Sequence, residues 1–126
     1  MTLISVGNVI VDLTIDVPAL PERGGDVLGR ATGTTPGGSF NTMVAATRQG
    51  LPTAYAGAYG TGPFGDRVRA ALAAEGIGVL QPPTPDTDTG YDIALTESDG
   101  ERTFVTVFGA EASLTDDALA GIRLAE

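Results

Sequence analysis

The chain contains no cysteine, histidine, lysine or tryptophan. Without cysteine, a disulfide scaffold, a thiol nucleophile and thiolate-ligated zinc are all excluded. Without histidine, so are Ser-His-Asp triads, HExxH zinc sites and the side chain that usually moves protons near pH 7. All seven basic residues are arginine. That removes the lysine of a Walker A loop and the amine that Schiff-base chemistry needs. No apolar run reaches the ~18 residues of a membrane span. The apolar first fifteen residues carry Asp12 and lack the basic start of a signal peptide, so a soluble, cytoplasmic protein is expected.

Positive charge is scarce as well. Seven bases stand against 16 acids, a net charge of −9. Such a surface suits neither a phosphate backbone nor an anionic membrane, so neither nucleic acid nor membrane is expected as a partner. Any chemistry is left to Asp, Glu, Tyr, hydroxyls, backbone N–H groups and Arg. With 126 residues the chain makes one domain or part of one. Leu, Ile, Val and Phe supply 31 residues, enough for a core, and 18 Gly with 8 Pro make the chain turn-rich.

The apolar pattern alternates between strand and helix periods. Leu3 to Gly7 reads as a buried strand, and Leu13 to Val17 alternates as a half-buried one. A Pro/Gly loop covers Pro18 to Gly25, and Val27 to Thr35 reads as extended again. After Pro36-Gly37-Gly38 the period changes: Phe40, Met43, Val44 and Thr47 fall at helical spacing, with Ser39 or Gly38 as N-cap and Gly50-Pro52 as the stop. Thr53 to Tyr59 reads as a strand. A helix follows from about Pro63 through Phe64, Val68 and Leu72 to Gly76, then a short strand from Ile77 to Leu80. Beyond the Pro/Asp/Thr connector 81–89, Gly90 to Thr96 and Arg102 to Phe108 flank an Asp99-Gly100 hairpin turn. Ser113 to Asp117 opens a last helix through Leu119 and Ile122.

Alternating strands and helices imply a mostly parallel α/β sheet with crossover helices. The two hairpin-like excursions do not belong in that sheet and read as a flap over the carboxyl ends of the strands, where ligands bind in such folds.

Three segments carry candidate chemistry. In Pro36-Gly37-Gly38-Ser39-Phe40-Asn41 a glycine pair opens a helix, which lets a ligand approach the backbone, and Asn41 presents an amide to a polyol. The same residues also make an ordinary tight turn. Asp12, past the first strand, can accept from two sugar hydroxyls or close an Asx turn. Gly60-Thr61-Gly62-Pro63-Phe64-Gly65 is a literal G-x-G-x-x-G before a helix. As a dinucleotide site it follows the wrong strand, and its acid would have to be Asp86 or Asp88 in the connector. A helix-opening turn is the simpler reading, with Asp66 complementing the helix dipole. Arg102, Phe104 and Phe108 read as flap packing plus a surface Arg; one of them, or Tyr91, can cover a ligand if the flap closes.

Together these residues resemble the N-terminal portion of the PfkB/ribokinase family of carbohydrate and nucleoside kinases. The carrying segments are Val6 to Asp12, Pro36 to Asn41 with the helix to Gly50, Gly60 to Asp66, Thr89-Gly90 and Asp99 to Thr103, in order along nearly the whole chain. The resemblance implies a ribokinase-like fold in which 1–126 form the N-terminal part, with a β lid from about 13–35 and 90–108 that often clasps a homodimer. It implies that Asp12, Gly37, Gly38 and Asn41 hold the substrate and that Gly60 to Gly65 is a structural loop. It places the catalytic Asp, in a Gly-rich segment preceding a helix, far downstream. Gly24-Gly25-Asp26 is no substitute, because a strand rather than a helix follows it. Hence no catalytic residue and no metal ligand is expected in this chain, ATP and Mg²⁺ are expected to bind mainly outside it, and these residues alone are expected to be inactive. Ile10, two before Asp12, stands where ribokinase-like members often carry a polar residue. With Phe40 it points away from ribose and toward a nucleoside or a hexose.

Two other classes remain at this point. One is an NAD-dependent enzyme using Gly60 to Gly65; the other is a non-catalytic dimerising or sugar-binding module.

Overall fold

The computed structural model describes residues 1–122, so the last four residues of the 1–126 span lie outside the described residues. Three parallel strands form one sheet in the order β1-β4-β5: β1 (Leu3–Ser5), β4 (Thr53–Tyr55) and β5 (Gly78–Val79). Helix α1 (Ser39–Arg48) precedes β4, and α2 (Pro63–Ala74) crosses from β4 to β5. A second sheet has the order β3-β2-β6-β7, from β2 (Val11–Asp16), β3 (Arg30–Pro36), β6 (Tyr91–Thr96) and β7 (Arg102–Val107). The hairpins β2-β3 and β6-β7 are antiparallel and join through a parallel β2-β6 seam.

One apolar core serves both sheets. Val9, Val11, Met43, Tyr55, Tyr59, Val68, Leu72 and Ile77 are buried together, with Phe40, Val44, Phe64 and Tyr91 packed on them. The helical spacing of Phe40, Met43 and Val44, and of Phe64, Val68 and Leu72, is what turns one face of each helix inward. Tyr91 packs on Phe64 with ring centroids 5.3 Å apart.

Several boundaries differ from the sequence pattern. The strand read over Thr53 to Tyr59 stops at Tyr55: the chain bends at Gly57, which lies against the Tyr55 hydroxyl, and that hydroxyl donates to the Ala58 carbonyl at 3.0 Å. The extended segment read from Val27 begins only at Arg30, with a register shift between Thr14 and Ile15 opposite it. The final helix splits into a 3₁₀ turn (Ala110–Ser113) and a short α3 (Asp116–Ala120), and Ile122 lies past its end. Thr115 caps α3 by accepting the Ala118 N–H at 3.1 Å. No helix of the described residues is long and apolar enough to cross a membrane.

Candidate functional site

The turn after β3 is stitched to the segment that enters β2. Gly37 N–H donates to the Ile10 carbonyl at 2.7 Å, and the Ser39 N–H and hydroxyl both donate to the Asn8 carbonyl, at 2.9 and 2.8 Å. The N-cap of α1 is Gly38, not Ser39, whose hydroxyl is spent on Asn8. Gly38 has φ 62°, and a Cβ there would meet the Asn8 carbonyl oxygen at 2.6 Å, so only glycine fits. A Cβ on Gly37 would fall on the Asp12 carboxylate. Asp12 and the glycine pair are thus brought into contact from positions 25 residues apart. Asn41 lies exposed in the first turn of α1, its N–H donating to the Gly38 carbonyl.

The Asn8–Ile10 segment is itself anchored. The buried Tyr55 hydroxyl accepts the Val9 N–H at 3.3 Å, and burial pushes its pKa up to about 12.

Asp12 sits in a polar row across the four-stranded sheet. It pairs with Thr35 on β3 and with Asp92 on β6, and Asp92 pairs with Thr106 on β7. In-register neighbours project from the same face. The next row on that face includes Thr14, Ala94 and Phe104, so Phe104 stands on the Asp12 side, half exposed, under the Arg102 guanidinium 5.9 Å from its ring centre. Tyr91 projects from the opposite face into the core and is not placed to cover Asp12.

Asp92 was not singled out by sequence reasoning. It is 5% exposed, and its Oδ1 has no hydrogen-bond partner among the described residues. Burial, then the hydrogen bond and charge of Asp12, push its carboxyl up from 3.8 to about 6, against an opposing pull from Arg102. The available signal was an acid inside the alternating run Tyr91-Asp92-Ile93-Ala94-Leu95, since Asp is depleted in strands. Glu111 was missed as well. Its buried carboxylate accepts the Gly90 N–H at 2.7 Å and the Gly109 N–H at 2.9 Å, fixing the point where β6 begins.

The Gly60 to Gly65 loop is filled from within. The Asp88 carboxylate accepts the N–H groups of Phe64 at 3.1 Å, Gly65 at 2.7 Å and Thr89 at 2.8 Å. A side chain occupies the helix opening that a dinucleotide's phosphates would need, so the NAD-site alternative does not fit this loop. The same contacts leave these amides closed to ATP. Among the described residues no three His, Cys, Asp or Glu side chains gather to hold a metal ion.

A three-stranded parallel sheet with crossover helices, flanked by a β sheet that carries an acid against a Gly-Gly turn, is a ribokinase-like architecture. Residues 2–125 match the model of the pfkB family of carbohydrate kinases, and the chain belongs to that family. It is 33% identical over 121 residues to the uncharacterised sugar kinase YegV of Escherichia coli K12, covering 95% of this chain and 37% of that protein. It superposes on the ribokinase of Giardia lamblia with a TM-score of 0.82 at 23% identity, covering 94% of this chain and 36% of that one. On Arabidopsis thaliana ribokinase, solved with ribose and ATP, the TM-score is 0.73 at 25% identity, over 94% of this chain and 41% of that one. The chain spans little more than a third of the length of the curated relatives it matches.

Proposed function

We propose that the chain is the substrate-binding and lid portion of an ATP-dependent kinase that phosphorylates a hydroxyl of a sugar or nucleoside. The Asp12 carboxylate set against the Gly37-Gly38 turn carries this reading. Asp12 accepts hydrogen bonds from two substrate hydroxyls, the glycine pair admits the substrate to the backbone, and Asn41 adds an amide donor and acceptor. The lid, expected over about 13–35 and 90–108, corresponds to the β3-β2-β6-β7 sheet, whose first hairpin runs slightly wider, from Val11 to Pro36, and its Asp12 face turns toward the substrate. A nucleoside or a hexose suits Ile10 better than ribose does.

ATP and Mg²⁺ bind mainly through residues outside these 126, and the base that takes the hydroxyl proton lies there too. By themselves these residues transfer no phosphate. The exposed Phe104, Val105, Val107 and Phe108 on and beside the edge strand β7 support a homodimer formed through the lid. The expected compartment is the cytoplasm.

Two measurements test this. Phosphate transfer by the isolated 126-residue chain, with contaminating kinase excluded, overturns the claim of inactivity. The length of the protein as its source cell makes it tests the rest: a longer chain supports a working kinase, and a product of 126 residues reduces the reading to a sugar-binding or dimerising module.

A further inference from the structure

Asp92 is a buried acid whose carboxyl group meets Asp12 and leaves one oxygen, Oδ1, without a partner among the described residues. It stands in register with Asp12 on the parallel β2-β6 seam, so the two carboxyl groups project side by side from one face. Its Oδ1 is buried and unpartnered, and the residue is 95% buried by its 5% exposure. Two other inward-facing carboxylates among the described residues are satisfied: the partly buried Asp88 takes three backbone N–H groups and the buried Glu111 takes two. Thr106, its in-register neighbour on β7, makes no hydrogen bond to it, and Arg102 acts on it only through charge.

An unpaired buried acceptor beside a second carboxyl group is unfavourable unless a donor arrives from outside. The two hydroxyls assigned to Asp12 leave the neighbouring Asp92 Oδ1 still without a donor. We propose that Asp92 is a specificity-determining residue, reading a third hydrogen-bond donor on the substrate next to the two that Asp12 takes. The donor is a hydroxyl of a polyol or the ammonium of an amino sugar; each brings hydrogens to an acceptor-only site. The inference rests on the substrate-site reading above and assigns it a residue and a chemical demand.

The test is calorimetric titration of the protein, in the length its cell makes, with hexoses, nucleosides and 2-amino sugars. The best binder is then compared with its single-deoxy or deamino analogues, on wild type, Asp92→Ala and the near-isosteric Asp92→Asn. In wild type, removing one particular donor is expected to weaken binding at least tenfold. Asp92→Ala weakens the parent by a similar factor and erases the difference between parent and that analogue. Asp92→Asn, which keeps one acceptor, falls between. Loss at an amine identifies the amino-sugar arm; loss at a hydroxyl identifies the polyol arm.

A purely structural Asp92 leaves the parent-to-analogue ratio unchanged in both variants, which overturns the inference while the substrate site stands. If no compound binds wild type, the substrate-site reading falls with it. Melting curves accompany each variant. Removal of an unpaired buried carboxyl is expected to raise the melting temperature while affinity falls, a combination that misfolding does not produce.

Discussion

The Asp88 carboxylate accepts the Gly65 N–H at 2.7 Å, across 23 residues of sequence, and closes the one glycine-rich loop that looked like a nucleotide site. A single acid therefore turns a G-x-G-x-x-G into a structural corner, with Gly62 leaving room for it: a Cβ there would meet Asp88 Cγ at 2.6 Å. Replacing Asp88 by Ala strands three backbone N–H groups, at a cost of about 1–3 kcal/mol. Thermal melts of Asp88→Ala check this, and NAD is expected to protect neither wild type nor variant.

Gly38→Ala forces a β-carbon onto the Asn8 carbonyl in a left-handed backbone. The expected loss of stability is about 1–3 kcal/mol. Because Gly38 packs on Asn8, in the segment leading into the strand that bears Asp12, sugar affinity falls beyond what unfolding explains. Denaturant titration beside ligand titration separates the two effects.

The Tyr55 hydroxyl satisfies both the Val9 N–H and the Ala58 carbonyl. Tyr55→Phe keeps the packing and leaves both groups unpaired in the core, costing about 1–3 kcal/mol. With the tyrosine raised to about 12, wild type also loses stability as pH climbs above 10, where the unfolded chain ionises first. Tyr55→Phe is expected to show a smaller alkaline loss in urea midpoints measured from pH 9 to 11, the remainder coming from Tyr59, which burial also raises.

For Asp92 the sign runs the other way from an ordinary paired acid. Its carboxyl ionises near 3.8 unfolded and near 6 folded, with Asp12 and Arg102 as the charged groups acting on it. Between those values the folded chain holds the extra proton, so stability falls as pH rises from about 4 to about 6 and stays lower above. The contribution is about 1–2 kcal/mol once solvent screening is allowed for. Asp92→Asn removes it, so the difference in stability between variant and wild type grows across that window.

The apolar periods of the two helices, the hairpin at Asp99-Gly100 and the Asp12 and Gly37-Gly38 segments were legible from residue order because each is a local signal. The parallel β2-β6 seam was not. It joins strands 80 residues apart, and nothing in either strand names its partner. Asp92 and Asp88 escaped for the same reason: their meaning lies in what faces them, an acid on the neighbouring strand and a helix opening 23 residues back. The early stop of β4 at Tyr55 was hidden because the bend at Gly57 depends on its close approach to the Tyr55 hydroxyl and the Gly7 carbonyl, which lie outside the local pattern.

The most direct test follows the Gly37 and Gly38 amide resonances while sugars and nucleosides are titrated into wild type and Asp12→Ala. A saturable shift of both amides with at least one polyol is expected, lost or weakened at least tenfold in Asp12→Ala. Amides that stay still for every polyol, or a shift that survives the loss of Asp12, would contradict it.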